Sequence, residues 1–322
     1  MQSYYIGADI GGTTVKMAVI GEDGTILEKW EIPTNHKDEG NHIPEDIDSS
    51  LSEKLVELGI QKEQVLGIGA GAPGFVNADS GFVYQTVNIG WRNFDLGKIL
   101  NEKTEFPVFV DNDANLAALG EKWKGSGENS NDLIAVTLGT GVGGGIIANG
   151  EVINGVNGTG GEIGHITVVP SGGAPCNCGK TGCLETIASA TGIVRLAGEA
   201  ISKNPETLLK EYSSNGKSLT AKDVFQAAGA GDKQAREVLD YVTDVLGMTI
   251  ANLAIACNPS KIVIGGGVSK AGEDLLNPLR KAFDQYALPR TSEACEFVIA
   301  ELGNDAGVLG GAFLVKQNLG LE

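Results

Sequence analysis

The 322-residue sequence is poor in residues that bring special chemistry: five cysteines, three histidines, three tryptophans, three methionines, and aromatics at only 6%. An odd number of cysteines cannot all pair within one chain. Three of the five sit at metal-binding spacing, which favours a reducing compartment, and the cytoplasm is expected. Positive charge is also scarce: 24 Lys and Arg stand against 41 Asp and Glu, a formal net charge of −17. So acidic a surface repels a phosphate backbone and predicts no nucleic-acid partner. No uninterrupted apolar run approaches the ~18 residues of a membrane span. Met1–Gly7 shows neither a basic nor an apolar leader. Neither a membrane nor secretion is expected.

Glycine is what abounds. Its 47 copies cluster at 7–12, 67–74, 139–145, 155–164 and 265–267. Each cluster follows or interrupts a β-branched run, the pattern of strands ending in tight turns. Tyr4–Ile10, Thr14–Ile20 and Thr25–Pro33 read as strands. The apolar spacing of Ile47, Leu51, Leu55 and Leu58 predicts a helix from about Ile47 to Gly59. A strand at Val65–Gly71, a helix at Leu96–Lys103, a strand at Pro107–Val110 and a helix at Leu116–Trp123 follow.

A similar order then begins again. Asp132–Leu138 reads as a strand, Gly139–Gly145 as a glycine turn, and Ile146–Ile153 as a ladder passing through the hairpin signal Asn149-Gly150. Helices at Ala188–Ser202, Ala221–Gly229 and Lys233–Cys257 precede a strand at Lys261–Ile264. Ala8–Thr14 answers Thr137–Gly143, and Val65–Gly71 answers Lys261–Gly267. This weak repetition predicts two α/β lobes built on one plan with a cleft between them, the default place for a ligand.

Asp9-Ile10-Gly11-Gly12-Thr13-Thr14-Val15-Lys16 puts a carboxylate at a strand end and glycine amides in the turn after it. Backbone N–H groups there can cradle phosphate, and the carboxylate can hold Mg2+. Gly139-Thr140-Gly141-Val142-Gly143-Gly144 satisfies the dinucleotide pattern literally, but a strand follows it rather than a helix. A second phosphate turn is the better reading. Gly179-Lys180-Thr181 resembles the end of a P-loop without the glycine that should stand at Ala174, and that match is accidental. Asp111-Asn112-Asp113-Ala114-Asn115 opens a helix, where one such residue suffices as a cap. The surplus leaves two readings open, capping and a carboxylate base for a hydroxyl nucleophile.

Cys176, Cys178 and Cys183 fall within eight residues, and His165 precedes them by eleven. Three thiolates and an imidazole close a tetrahedral shell for structural Zn2+. Cys176 and Cys178 flank a single residue, a poor geometry for a disulfide. His36 and His42 read as exposed, Cys257 and Cys295 as core.

Together, Asp9-Ile10-Gly11-Gly12-Thr13, Leu138–Gly145, Gly161-Glu162-Ile163-Gly164-His165 and Cys176–Glu185 resemble the ROK family of bacterial sugar kinases and sugar-responsive repressors. Gly71-Ala72-Pro73-Gly74, Val87-Asn88-Ile89-Gly90-Trp91 and Asn112-Asp113-Ala114-Asn115 look like its ATP-dependent glucokinase branch. The resemblance implies an actin-like ATPase (hexokinase-type) α/β fold. Residues 1–115 plus about 305–322 would form the small lobe, and 116–304 the large lobe with the zinc loop. It implies a homodimer and phosphorylation of the 6-hydroxyl of glucose by ATP and Mg2+, a step of glycolysis. Asp113 would be the general base. Gly71, Asn88, Asn112, Glu162, His165 and Glu185 would bind the sugar beside it, with His165 serving both sugar and zinc. Asp9, Gly11, Gly12, Thr13, Lys16, Thr140 and Gly141 would serve phosphate and Mg2+, and Gly265, Gly266 and Gly267 would border the adenosine. The alternatives are a kinase for fructose, mannose or N-acetylmannosamine, and a sugar-binding regulator without catalysis. The repressor branch carries an N-terminal helix-turn-helix, whereas here the first phosphate motif starts by Ile6, which favours the enzyme.

Overall fold

The computed structural model describes residues 2–86, 88–213 and 218–321. The chain divides into two compact units, one of Met1–Asn131, Gly145–Gly161 and Glu301–Glu322, the other of Asp132–Gly144 and Glu162–Ala300.

In the first unit β1 (Tyr4–Ile10), β2 (Thr14–Gly21) and β3 (Ile26–Pro33) form an antiparallel meander. β1 is buried along almost its whole length, whereas β3 alternates half-buried with exposed positions, as an outer strand must. Helix α1 (Ile43–Leu58) begins earlier than the spacing of its apolar residues predicts. Pro44 in its first turn and the acidic Glu45 and Asp46 suit a helix N-terminus, where the unpaired N–H groups lie. β4 (Val65–Ala72) lies parallel to β1. A small sheet of β5 (Phe75–Asn77), β6 (Phe82–Gln85) and β7 (Arg92–Phe94) follows, then α2 (Leu96–Thr104), β8 (Val108–Asn112) and α3 (Asp113–Lys124). The small sheet has no counterpart in the sequence reading: its strands are only three or four residues long, too short to show a period.

The second run of elements is β9 (Leu133–Leu138), β10 (Val142–Ala148) and β11 (Glu151–Val152), with α4 (Glu185–Ala188), α5 (Ala190–Lys203), α6 (Leu208–Tyr212), α7 (Ala221–Gly229) and α8 (Lys233–Cys257) after them. β12 (Lys261–Gly265), α9 (Glu273–Tyr286), α10 (Pro289–Ala294), β13 (Glu296–Ile299) and α11 (Ala306–Asn318) complete it. The first five-stranded sheet has the order β3-β2-β1-β4-β8 and the second β11-β10-β9-β12-β13. The two orders are the same. The repetition seen in the sequence is therefore a repetition of topology, with β1 answering β9 and β4 answering β12.

Two expectations are corrected here. The glycine turn ends at Gly141, and Gly143, Gly144 and Gly145 lie inside β10, where Gly145 lets Ala118 of α3 approach. The helix expected over Ala188–Ser202 is broken at Ser189, whose hydroxyl accepts the Gly192 N–H as the cap of α5. Asn149 (φ 53°) and Gly150 (φ 88°) form the expected hairpin turn. Helix α8 is long and apolar enough to cross a membrane by length and composition, but 61% of its most apolar window is buried. Val242, Leu246, Ile250 and Ala254 spend that apolarity on the core of the second unit.

Helix α11 is apolar on every side, as a helix buried all round must be. It lies on β1 and β4 at backbone distance: a methyl group on Gly69 would overlap the Gly311 carbonyl, and one on Gly310 the Leu116 carbonyl of α3.

Candidate active site and metal centre

The expected site residues fall into two sets, one in each unit. In the first unit Gly11, Gly12 and Thr13 form the turn between β1 and β2, with Asp9 and Lys16 paired across the hairpin. Lys16 Nζ stands 3.7 Å from Asp9 Oδ2. Burial raises the Asp9 pKa above the usual carboxylate value, and Lys16 pulls it back only in part. The parallel register puts Asp9 beside Gly71, and Gly71 beside Asp111. A methyl group built on Gly71 would lie 3.7 Å from Asp9 Oδ1 and 3.5 Å from the Asp113 Cα. Asn88 packs over the β1–β2 turn, its Cβ 2.9 Å from where a Gly12 Cβ would be. Val87, from the same motif, lies outside the described residues.

The capping and base readings of Asp111–Asn115 are divided among its residues. Asn112 is the N-cap of α3: its Oδ1 accepts from the Ala114 N–H at 2.8 Å and the Asn115 N–H at 3.3 Å, and its Nδ2 donates to the Gly74 carbonyl. Asp113 is the first helical residue and stays half-exposed, one oxygen accepting the Ala114 N–H at 2.9 Å. Asp111 is buried, at 2% exposure, and receives N–H groups from Asn115, Asn154 and the Asn112 backbone. Burial nonetheless raises its pKa, because none of those donors carries charge. Asn154 gave no signal in the sequence beyond its glycine-rich surroundings.

In the second unit His165, Cys176, Cys178 and Cys183 bring one ligand atom each to within 4.8 Å of one another. A tight hairpin does this: the Cys176 N–H donates to the Lys180 carbonyl, the Gly179 N–H to the Cys176 carbonyl, and the Gly182 N–H to the Ala174 carbonyl. The P-loop-like Gly179-Lys180-Thr181 is the tip of this hairpin. Cys176 Sγ lies 3.6 Å from His165 Nδ1, and Cys178 Sγ lies 3.6 Å from Cys183 Sγ. A tetrahedron with Zn–S of about 2.3 Å and Zn–N of about 2.0–2.1 Å has edges of about 3.5–3.8 Å, so the donor set fits the ion. Burial pushes the Cys176 thiol up to about 12 and raises that of Cys183, whereas at Cys178 burial is outweighed by hydrogen bonds from the Lys180 backbone and the neighbouring thiols, which lower its pKa; a bound cation would favour all three as thiolates.

The other nitrogen of the ring, His165 Nε2, faces Glu162 Oε2 at 3.9 Å. Burial raises the Glu162 pKa, His165 lowers it and Glu185 raises it further. Glu185 is anchored twice. Its Oε1 lies 3.7 Å from Cys176 Sγ, and its Oε2 accepts the Val142 N–H at 3.1 Å. Val142 closes the second glycine turn, and Thr191 Oγ1 donates to the Thr140 carbonyl in the same turn. Gly141 is pressed against the Glu185 carboxylate. Gly265 ends β12 and Gly266 and Gly267 follow it, with Gly266 (φ 83°) against the Leu138 backbone at the end of β9.

Cys257 and Cys295, expected in the core, are half-buried; burial raises both thiols, Cys295 to about 12. His36 and His42 are exposed, as expected, yet each is hydrogen-bonded.

Two sheets of one order, each with a glycine turn leaving its first strand, are the architecture of the actin-like ATPases, and solved ROK sugar kinases of that fold resemble this structure. A sequence model of the ROK family matches residues 5–318, and the chain belongs to the ROK family. It is 58% identical to the glucokinase of Halalkalibacterium halodurans over 98% of this chain and 95% of that protein. To the glucokinase of Thermotoga maritima it is 38% identical, over 98% of each. The crystal structure of a ROK family glucokinase from Streptomyces griseus in complex with glucose and AMPPNP matches with a TM-score of 0.77 and 34% identity, over 98% of this chain and 100% of that one.

Proposed function

We propose that this chain is an ATP-dependent glucokinase that transfers the γ-phosphoryl group of ATP to the 6-hydroxyl of glucose, with Asp113 as general base. The observation that carries the assignment of the base is that Asp9 Oδ1 and the Asp113 Cα both lie close beside Gly71. One aspartate stands near the end of β1, before its glycine turn, the other begins α3, and both stand next to the same residue of β4. The glucokinase relatives and the glucose- and AMPPNP-bound neighbour support the substrates.

In the reaction Asp113 accepts the proton of the 6-hydroxyl as that oxygen attacks the γ-phosphorus, and ADP leaves. Backbone N–H groups of the turns at Gly11–Thr13 and Gly139–Gly141 hold phosphate oxygens, and Lys16 offsets their charge. A loose phosphoryl transition state asks for positioning and charge neutralisation rather than covalent chemistry. Asp9, a hard oxygen donor beside the first turn, suits Mg2+, which when bound would neutralise charge on the transferring phosphates. Asn88, Asn112, Glu162, His165, Glu185 and the Gly71 backbone bind the remaining hydroxyls, and Gly265, Gly266 and Gly267 border the adenosine. Zinc held by His165, Cys176, Cys178 and Cys183 would supply rigidity alone, since four protein ligands close its shell. The reading carries with it a cytoplasmic homodimer acting in glycolysis, which the free thiols at the metal loop and the family resemblance support.

A coupled ADP-release assay across glucose, fructose, mannose and N-acetylmannosamine tests it. Glucose should give the highest kcat/KM. No sugar-dependent ADP release from pure protein would make the chain a sugar-binding protein instead, and a higher kcat/KM for another hexose would reassign the substrate.

A further inference from the structure

We infer that the acidic segment after β3 braces the phosphate turn, and that His36 is a positioning residue for ATP. The inference rests on reading Gly11–Thr13 as the donor's phosphate turn. Three successive carbonyls of that turn are tied to this one segment. Thr34 Oγ1 donates to the Gly11 carbonyl at 2.7 Å, His36 Nε2 lies 2.8 Å from the Gly12 carbonyl, and the Thr34 N–H donates to the Thr13 carbonyl at 2.9 Å. A carbonyl only accepts, so His36 Nε2 carries the proton. In a trans peptide the C=O and the following N–H point in opposite directions. Fixing the Gly11 and Gly12 carbonyls on the Thr34–His36 side therefore aims the Gly12 and Thr13 N–H groups away from it. Phosphate oxygens need that orientation of the amides.

The segment holds its shape by anchors on both sides of a tight bend. Asp38 (φ 48°) and Glu39 (φ 56°) are both left-handed, a conformation that side chains disfavour and that persists only where surroundings impose it. On one side Asn35 Nδ2 donates to Asp46 Oδ2 of α1 at 2.9 Å. On the other Trp91 Nε1 donates to the Gly40 carbonyl at 3.1 Å, and a methyl on Gly40 would collide with Ile89 and Trp91. Ile89 and Trp91 belong to the stretch that carries Asn88. The brace thus fastens the phosphate turn to that stretch, and His36 is the exposed link that touches the turn.

The test compares wild type, His36→Leu and His36→Gln as full-length protein, by steady-state ADP release with ATP and glucose varied separately, alongside thermal unfolding. Losing one hydrogen bond should raise KM for ATP about three- to tenfold. KM for glucose should stay unchanged, and the Gln variant, whose amide N–H can reach the same carbonyl, should recover most of the loss. Thr34→Val removes the neighbouring hydroxyl donor and should shift KM for ATP in the same direction, which keeps the test decisive if His36→Leu fails to fold. An unchanged KM for ATP in the Leu variant, a Gln variant as impaired as Leu, or an equal rise in both KM values would overturn the inference. Absence of glucose-dependent ADP release in wild type would overturn the kinase reading instead.

Discussion

Asp9 and Asp113, on different elements and 104 positions apart in the chain, face a single residue: a methyl on Gly71 would lie 3.7 Å from the Oδ1 of one and 3.5 Å from the Cα of the other. Both are ordinary contacts, and the tightest neighbour, Leu116 Cδ1 at 3.0 Å, is a side-chain end that can yield. Gly71→Ala should therefore fold, with a stability loss of less than about 1.5 kcal/mol in urea unfolding. Its kcat/KM for glucose should fall by up to about 10²-fold, because small displacements at a reacting centre are costly. An active, unperturbed variant would remove Gly71 from the site.

Asp9 should cost stability that function requires. Burial raises its folded pKa above the ordinary 3.8, so the unfolded chain ionises first as pH rises. Stability is then lost as pH climbs from the unfolded value through the folded one, and the loss is complete above both. Asp9→Asn cannot ionise there. Without Mg2+ it should unfold at a higher temperature than wild type at about pH 7.5, with the gap closing toward about pH 4. Its kinase activity should be largely lost. A variant less stable at neutral pH would mean that the Lys16 pair outweighs the burial.

The metal loop should govern the sugar end rather than the phosphate end. Cys183 is fully buried and sits two residues before Glu185. Cys183→Ala should lose bound zinc and raise KM for glucose by about tenfold or more, since even residues that only support a metal's ligands are worth 10- to 100-fold and Cys183 would be a ligand itself. Metal analysis by plasma emission reads the first outcome and steady-state kinetics the second. Pure, active wild type without zinc would refute the structural role.

Two glycine-to-alanine changes should act with opposite signs. Gly69→Ala drives a methyl into the Gly311 carbonyl of α11, backbone that cannot swing aside. It should cost about 3 kcal/mol or more. Gly198→Ala, in open space on α5, should add up to about 1 kcal/mol through helix propensity. Urea midpoints measure both, and equal effects would contradict the packing described for α11.

Much of this was legible in the sequence because local patterns carry it. β1 and the helices α7 and α8 lie where strand patterning and helical spacing put them, and the paired glycine motifs pointed to a repeated plan that the two sheets of one strand order share. The clustering of His165, Cys176, Cys178 and Cys183 was legible from spacing alone. What was not legible depends on contacts far apart in the chain. α11 has no polar face to give it a period, and its glycines make sense only against Leu116 and Gly69. The tie from Glu185 to Val142 joins residues 43 positions apart, and nothing in either segment announces it. His36 reads in the sequence only as an exposed histidine, because Thr34 and His36 become a brace only once the β1–β2 turn lies beside them.

The kcat of Asp113→Ala, measured at saturating ATP and glucose beside its thermal unfolding, tests the account most directly. A positioned base is worth about 10²- to 10⁴-fold, and the variant should lose that much kcat while remaining folded. A folded variant with near-wild-type kcat would contradict the assignment of the base.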